Sequence, residues 1–365
     1  MKVVVTGADG FLGWHLRCRL AALTDHEVVP VGRAEFGELD RLAADADAIV
    51  HLAGVNRDTD HELVAGNLRL AQDVSRAANS ARVAPRLIYA NSIQTGNGTP
   101  YGSGKLAAAA ELAKTATQLG ADFVEVRLPN LFGEHGRPHY NSFVATFVDA
   151  VVTHRQPQVD DREINLLHAQ GAAQALIEAL TAPTGVIEPA GQASTVGAVW
   201  ASLREFHGTY GVAGEIPALG SAFEVDLFNT YRARLMPGQF PMALEPRLDA
   251  RGRLVETVRT HGRGGQTFVS TTVPRATRGD HFHLTKFERF IVVEGTATIR
   301  LRRLFSDEVI SFEVDGAVPV AVDMPTMWAH NITNTSSAPL TTVFWTDTLF
   351  DPANPDTYPQ PVERN

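Results

Sequence analysis

His281 and His283 stand one residue apart, and Glu288 follows five residues after His283. On a strand, positions i and i+2 point to the same face, so both imidazoles would look one way. His330 comes later, in the stretch "MPTMWAHNITN". Three imidazoles and a carboxylate suit Zn²⁺ or another divalent transition metal, with room left for a water or a substrate oxygen. Lys286 lies between His283 and Glu288. It is a candidate for moving a proton or for holding a diphosphate.

A second constellation occupies the other end of the chain. "KVVVTG" reads as a valine-rich strand, and Gly7, Gly10 and Gly13 follow it into an amphipathic segment. Glycine there lets the backbone turn tightly and approach a pyrophosphate at a helix N-terminus. Phe11 and Leu12 lie in the same loop and would meet the cofactor with it. The second strand ends in Gly32 and Arg33. An acidic residue at that place would accept hydrogen bonds from the adenosine ribose, whereas Arg33 could pair with a 2′-phosphate, so NADPH is expected. Tyr101 and Lys105 are four apart at the start of a helical segment and share a face, and Ser92 ends the preceding strand. A phenol with a pKa near 10 needs help to exchange a proton near neutrality. An ammonium favours the phenolate, and a serine hydroxyl can hold a carbonyl oxygen.

Two kinds of element must position these groups. Through the first half, short apolar strands alternate with helical segments, the signature of a parallel sheet covered on both faces. The segment "GVIEPAGQASTVGAVWASLREF" predicts a strand, a polar turn and a helix starting near Ser194 or Thr195. From about Phe240 the pattern becomes short alternating runs punctuated by Gly, Pro, Asn and Asp, among them "LVETVRTH", "GQTFVSTTVP" and "RFIVVEGTATIRLRRL". That predicts an antiparallel sandwich or barrel. "MPGQFPMALEPRLDARG" reads as a linker, and the proline-rich stretch "DPANPDTYPQPVERN" suits neither a helix nor a central strand. The expected division is a reductase domain over 1–243 and a sandwich domain over 244–365.

Bulk properties narrow the function classes. A chain of 365 residues with net charge −9 lacks the broad cationic surface that nucleic acid or an acidic membrane would need. Its one cysteine, Cys18, cannot form an intrachain disulfide, which fits a reducing cytoplasm. Neither a signal peptide nor an apolar stretch long enough to span a bilayer is visible.

With "TGADGFLG", "HLAGVNR", "NSIQ", "YGSGK" and "RLPNLFGE", the first part resembles an extended short-chain dehydrogenase/reductase. The resemblance implies a Rossmann domain, a nicotinamide cofactor and often a nucleotide-sugar substrate. It places Ser92, Tyr101 and Lys105 in the catalytic set, with His51, Leu52, Ala53 and Gly54 lining the cofactor crevice and Asn67 as a structural asparagine. The loop between Ser92 and Tyr101 is shorter than is common in extended members. The second part resembles the cupins, an all-β jelly-roll family. His281, His283, Glu288 and Gly295 fit their first motif, and Pro325, His330 and Asn334 their second, with Met327 where glycine is usual. The stretch "TRGDHFHLTKFERF" is also similar to sugar epimerases of that superfamily, in which the position of His281 would be a base and not a ligand. The two implications conflict, and the ligand count favours His281 as ligand.

Reductase followed by cupin resembles the CapF-type enzymes of capsular polysaccharide synthesis. That resemblance implies epimerisation at carbon 3 of a UDP-4-keto-6-deoxy-N-acetylhexosamine, then NADPH reduction of the carbon 4 ketone. A UDP-N-acetyl-L-talosamine-type product would follow, on the way to UDP-N-acetyl-L-fucosamine. The likeness to cupins, which commonly pair through their sheets, implies a homodimer. A dTDP-sugar or UDP-sugar enzyme of secondary metabolism, or a non-catalytic NADPH and metal sensor, are the alternatives.

Overall fold

The computed structural model describes residues 1–250, 252–262 and 264–363. The chain forms two compact units, one of residues 1–143 with 162–195 and one of 144–161 with 196 onward.

The first unit is built on six parallel strands: β1 (Lys2–Thr6), β2 (Glu27–Val31), β3 (Ala48–His51), β4 (Arg86–Ser92), β5 (Phe123–Leu128) and β8 (Gly185–Ile187), after β6 (Asn130–Phe132) and β7 (Glu163–His168). Their order is β2-β1-β3-β4-β5-β8. The direction of winding reverses at β1, which lies between β2 and β3, so a ligand crevice opens beyond the carboxyl ends there. Helices α1 (Phe11–Leu23), α2 (Leu39–Leu42), α3 (Asp60–Ser80), α4 (Pro100–Leu119) and α6 (Ala169–Glu178) accompany the sheet. Leu16 and Leu20 of α1 join Ala172 and Leu176 of α6 in one core. Val74 and Ala78 of α3 join Leu112 and Ala116 of α4 in another. The small residues matter: a side chain on Gly104 of α4 would collide with the Leu63 carbonyl of α3. Strands β6 and β7 pair with β9 (Gln192–Thr195) in a separate small sheet. The predicted polar turn before the helix is therefore β9, and α7 (Val196–Phe206) begins just after it.

The second unit contains two antiparallel five-stranded sheets, as the jelly-roll expectation requires. One has the order β10-β18-β15-β20-β13 and the other β17-β16-β19-β14-β21. The strands are β10 (Met242–Ala243), β13 (Gln266–Thr272), β14 (Thr277–Phe282), β15 (Glu288–Glu294), β16 (Thr296–Arg303), β17 (Val309–Asp315), β18 (Val320–Met324), β19 (Trp328–Asn334), β20 (Leu340–Thr346) and β21 (Tyr358–Pro359). A small hairpin of β11 (Arg247–Asp249) and β12 (Gly252–Leu254) precedes them. The two sheets face each other: the Phe290 ring of β15 meets the His330 ring of β19 edge-on, with centroids 5.7 Å apart.

Two expectations change here. "LVETVRTH" holds only the end of β12, because past Leu254 the chain makes an isolated bridge between Thr260 and Ile216 and no ladder. The stretch read as linker contributes β10, which pairs with β18. Packing also groups helices α5 (Phe143–Val152), α7 and α8 (Ala222–Leu235) mostly with the sandwich, whereas the sequence pattern groups them with the reductase. Buried polar contacts explain the packing. Asn229 Nδ2 of α8 donates to the Thr285 carbonyl at 2.9 Å, and the Arg232 guanidinium lies 3.6 Å from the Phe287 ring centroid. Tyr210 OH donates to Asp323 at 2.5 Å, and Arg289 grips the same carboxylate through two bonds of 2.7 and 2.9 Å.

Candidate functional site

In the first unit the glycine turn has the backbone that its sequence predicts. Gly7 has φ +70°, and a Cβ there would lie 2.7 Å from the Ala53 amide nitrogen. A Cβ on Gly13 would collide with the Gly7 carbonyl. The N-cap of α1, Gly10, carries no capping side chain, and the first turn holds no acidic residue. A helix N-terminus without a capping side chain, approached closely by glycine backbone, fits a pyrophosphate. Phe11 and Leu12 open α1 and are half-buried. Leu52 and Ala53 follow β3, and their amides donate to Thr6 Oγ1 at 3.2 and 3.4 Å. Asn67 is structural, as expected: its amide group bonds Val55 N and O and the Leu63 carbonyl, which pins the loop beyond Gly54.

Arg33 is exposed just past β2. The sequence reading missed its neighbours. Gly32 N donates to Glu35 Oε2 at 3.0 Å, and a Cβ on Gly32 would run into the Asp9 carboxylate. Two carboxylates therefore flank the place where an adenosine ribose would sit. The signal was hidden because Asp9 and Glu35 lie away from the strand-end position that carries the usual acid.

Ser92 ends β4, and Tyr101 is the second residue of α4. The helix is entered through Thr99, whose hydroxyl accepts from Gly102 N at 3.1 Å, with Pro100 as its first residue. Burial raises the Tyr101 pKa, and a hydrogen bond to Ser92 lowers it again. Lys105 is buried and donates to the Ala90 carbonyl at 2.7 Å. Burial pulls its pKa down to about 7, against the pull of Glu125. Glu125, buried on β5, accepts from Asn91 Nδ2 at 2.7 Å and from Arg127 Nε at 2.7 Å. His51 is buried and held neutral, its pKa lowered to about 3 by burial and by Lys105. Ser92 at the carboxyl end of β4 and Tyr101 and Lys105 in the first turns of α4 thus offer a hydroxyl, a phenol and an ammonium, groups that suit protonation of an alkoxide.

In the second unit, His281, His283, Glu288 and His330 converge, with one ligand atom from each lying within 4.8 Å of the others. A bulge makes this possible. Gly279 has φ +106° and Asp280 φ +56°, the register shifts there, and His281 is turned to lie opposite His330. Strand alternation alone did not deliver the pair, since β14 ends at Phe282 and His283 stands just beyond it. The His283 Nδ1 lies 2.6 Å from the Asp356 carbonyl, and the His330 Nδ1 lies 3.1 Å from the Trp328 carbonyl. A carbonyl only accepts, so both rings carry a proton on Nδ1 and turn Nε2 toward Glu288. Both Nε2 atoms are buried without a hydrogen bond, although Glu288 Oε2 lies 3.1 Å from one and 3.5 Å from the other. Burial raises the Glu288 pKa, but the two rings outweigh it and keep the carboxyl below its usual range. His281 is lowered to about 3, first by burial and then by its neighbours' charge, so it is a neutral imidazole. Three imidazoles and a carboxylate that each bring one atom to a common place are a metal's donor set, and the residues fit one.

Lys286 Nζ lies 3.3 Å from Glu288 Oε1 and donates to Thr357 Oγ1 at 3.0 Å. Lys286 and Glu288 line a cavity of about 460 Å³ together with Phe268, Thr348, Phe350 and Asp356. Met327, standing where cupins usually have glycine, has φ +61° and is fully buried, so the backbone keeps the glycine-like turn.

Comparison with known proteins agrees with both halves. The NAD dependent epimerase/dehydratase family matches residues 3–197, and the polysaccharide biosynthesis C-terminal domain matches residues 247–358. A Pseudomonas aeruginosa protein named UDP-2-acetamido-2,6-beta-L-arabino-hexul-4-ose reductase is 33% identical, over 98% of each chain. The crystal structure of the capsular polysaccharide assembling protein CapF from Staphylococcus aureus is 35% identical with a TM-score of 0.64, covering 99% of this chain and 100% of that one. A UDP-N-acetylglucosamine 4-epimerase from Bacillus cereus covers 65% of this chain at 19% identity and a TM-score of 0.53, a likeness of fold. No helix among the described residues is long and apolar enough to cross a membrane. The chain belongs to the NAD dependent epimerase/dehydratase family, in the CapF-type form that joins this domain to a polysaccharide biosynthesis C-terminal domain.

Proposed function

We propose that the chain is a bifunctional nucleotide-sugar enzyme, with a reductase domain over 1–243 and a cupin epimerase domain over 244–365. The cupin domain inverts carbon 3 of a UDP-4-keto-6-deoxy-N-acetylhexosamine. The reductase domain then reduces the carbon 4 ketone with NADPH to a UDP-N-acetyl-L-talosamine-type product. One observation carries this reading: a single chain holds both a Ser92, Tyr101 and Lys105 proton-donor set and the His281, His283, Glu288 and His330 cluster. The name of the Pseudomonas relative supports the substrate class.

In the reductase half, bound nicotinamide supplies the hydride. Ser92 holds the ketone oxygen, Tyr101 gives it a proton, and Lys105 steadies the phenolate left behind. In the cupin half, a divalent cation, zinc first, would when bound supply the positive charge that stabilises an enolate. Here His281, His283, Glu288 and His330 would hold the ion, and Lys286, facing the cavity, is the candidate for carrying a proton to or from carbon 3. Reduction must come second, because the carbon 3 proton is acidic only while the ketone stands beside it. We further place the enzyme in the cytoplasm, on its single cysteine, as a homodimer.

The test is mass spectrometry of a UDP-4-keto-sugar reaction in heavy water, with and without NADPH. Deuterium is expected at carbon 3 without the coenzyme, and NADPH oxidation when it is present. Tyr101→Phe should abolish reduction and spare exchange, while His330→Ala should do the reverse. The absence of both label and NADPH consumption with every such ketone would exclude the reading.

A further inference from the structure

Asp356 lies far along the chain from the histidine cluster, yet it touches the cluster's framework through both its backbone and its side chain. Its carbonyl accepts from His283 Nδ1 at 2.6 Å. Its carboxylate accepts from the amides of Leu284, Thr285 and Lys286 at 2.9, 2.9 and 2.7 Å, and from Thr285 Oγ1 at 2.9 Å. Those residues form the turn that separates His283 from Glu288. Four donors on one carboxylate over-determine that turn. They also hold Asp356 itself at φ +42°, a left-handed conformation that a non-glycine residue keeps only when its surroundings compel it.

The strap carrying Asp356 is built to stay in place. Phe282 pairs with Tyr358, and Gln360 N donates to the Asp280 carbonyl at 2.7 Å. Val362 is fully buried, and its amide donates to Asp280 Oδ1 at 3.1 Å. Buried Arg302 grips the Pro361 carbonyl at 2.6 Å. Asp280 is the bulge residue that turns His281 inward, so the strap touches both sides of the cluster.

We propose that Asp356 is the positioning residue of the metal centre. Its carbonyl fixes His283 as the Nδ1–H tautomer, which aims the Nε2 lone pair at the shared point. Its carboxylate clamps the turn that sets the spacing of His283 and Glu288. Outer partners of this kind typically change metal affinity by ten- to a hundredfold. The proposal rests on the reading of the cluster as a metal site.

The experiment measures Zn²⁺ affinity by competition with a chromophoric chelator, in the full chain and in Asp356→Ala and Asp356→Asn. Asp356→Ala keeps a backbone carbonyl but loses the carboxylate that holds it in place, so affinity should fall about tenfold to a hundredfold. Asp356→Asn keeps one acceptor oxygen and should restore part of it. In the metal-free wild type, the ¹⁵N resonances of the His283 ring should show one tautomer, protonated on Nδ1. Wild-type affinity in Asp356→Ala, or a His283 ring protonated on Nε2, overturns the proposal. If Asp356→Ala fails to fold, Asp356→Asn and the wild-type ring spectrum decide it. A loss of affinity in the variants without any carbon 3 exchange by the wild type would keep this inference and sink the epimerase reading instead.

Discussion

Lys105 Nζ lies 4.4 Å from the centroid of the Tyr89 ring. The aromatic face and the Ala90 carbonyl receive an ammonium that burial disfavours, and Glu125 supplies the opposing charge. The balance leaves Lys105 with a pKa of about 7. On the proposed mechanism its charged form steadies the phenolate, so kcat/KM for reduction should fall as pH rises through that region. Glu125→Gln removes the group that raises this pKa, and the alkaline limb should then move to lower pH, by up to about one pH unit. A limb that stays where it was would remove Glu125 from the account. The same shift affects stability. Between about 7 and the ordinary lysine value of 10.5, the unfolded chain binds a proton that the folded chain lacks. The contribution of Lys105 to stability therefore improves as pH rises through that window.

The proposed preference for NADPH sets Arg33 against Glu35. If Arg33 meets the 2′-phosphate, Arg33→Ala should weaken NADPH binding about tenfold, the size of one charge-assisted contact, and leave NADH nearly unchanged. Fluorescence titration of both coenzymes measures it. Unchanged NADPH binding, together with weakened NADH binding in Glu35→Ala, would assign the ribose to Glu35 and the coenzyme to NAD.

Asp323 is the acceptor on which Arg289 and Tyr210 both depend, and it is fully buried. Asp323→Asn would leave Arg289 charged, buried and without its counter-ion. The expected loss is about 3–5 kcal/mol, read as a lower urea midpoint for the sandwich unit. A variant as stable as wild type would mean that the guanidinium finds water.

Met327 sets two effects against each other. Glycine would relieve its left-handed backbone, worth about 1–2 kcal/mol. It would also delete a fully buried side chain, which costs about 2–5 kcal/mol for removal down to alanine. Packing should win, so Met327→Gly is expected to destabilise the sandwich despite restoring the usual cupin residue. A rise in the unfolding midpoint would show that strain dominates.

Much of the candidate chemistry was legible in the sequence because it is local. Gly7, Gly10 and Gly13 announce a turn whose shape depends on their own backbone freedom. Tyr101 and Lys105 share a helix face at any position in a fold, and the apolar periods separate a parallel sheet from a sandwich. What was not legible depends on residues that meet only after folding. Strand alternation pointed toward a shared face for His281 and His283, but the Gly279 and Asp280 bulge is what brings His281 opposite His330. Glu125 reads as a strand residue until β5 lies beside β4 and its carboxylate comes near Lys105. Glu35 reads as a loop acid until it bends back to Gly32.

The sequence by itself determined which kinds of group are present and which elements carry them, since those follow from short-range backbone geometry and hydrophobic period. Only the tertiary structure decided the protonation of Lys105, the tautomers of His283 and His330, and the presence of Asp356 at the cluster. Each of these is set by burial or by a partner from a distant part of the chain, and neither quantity has any local trace.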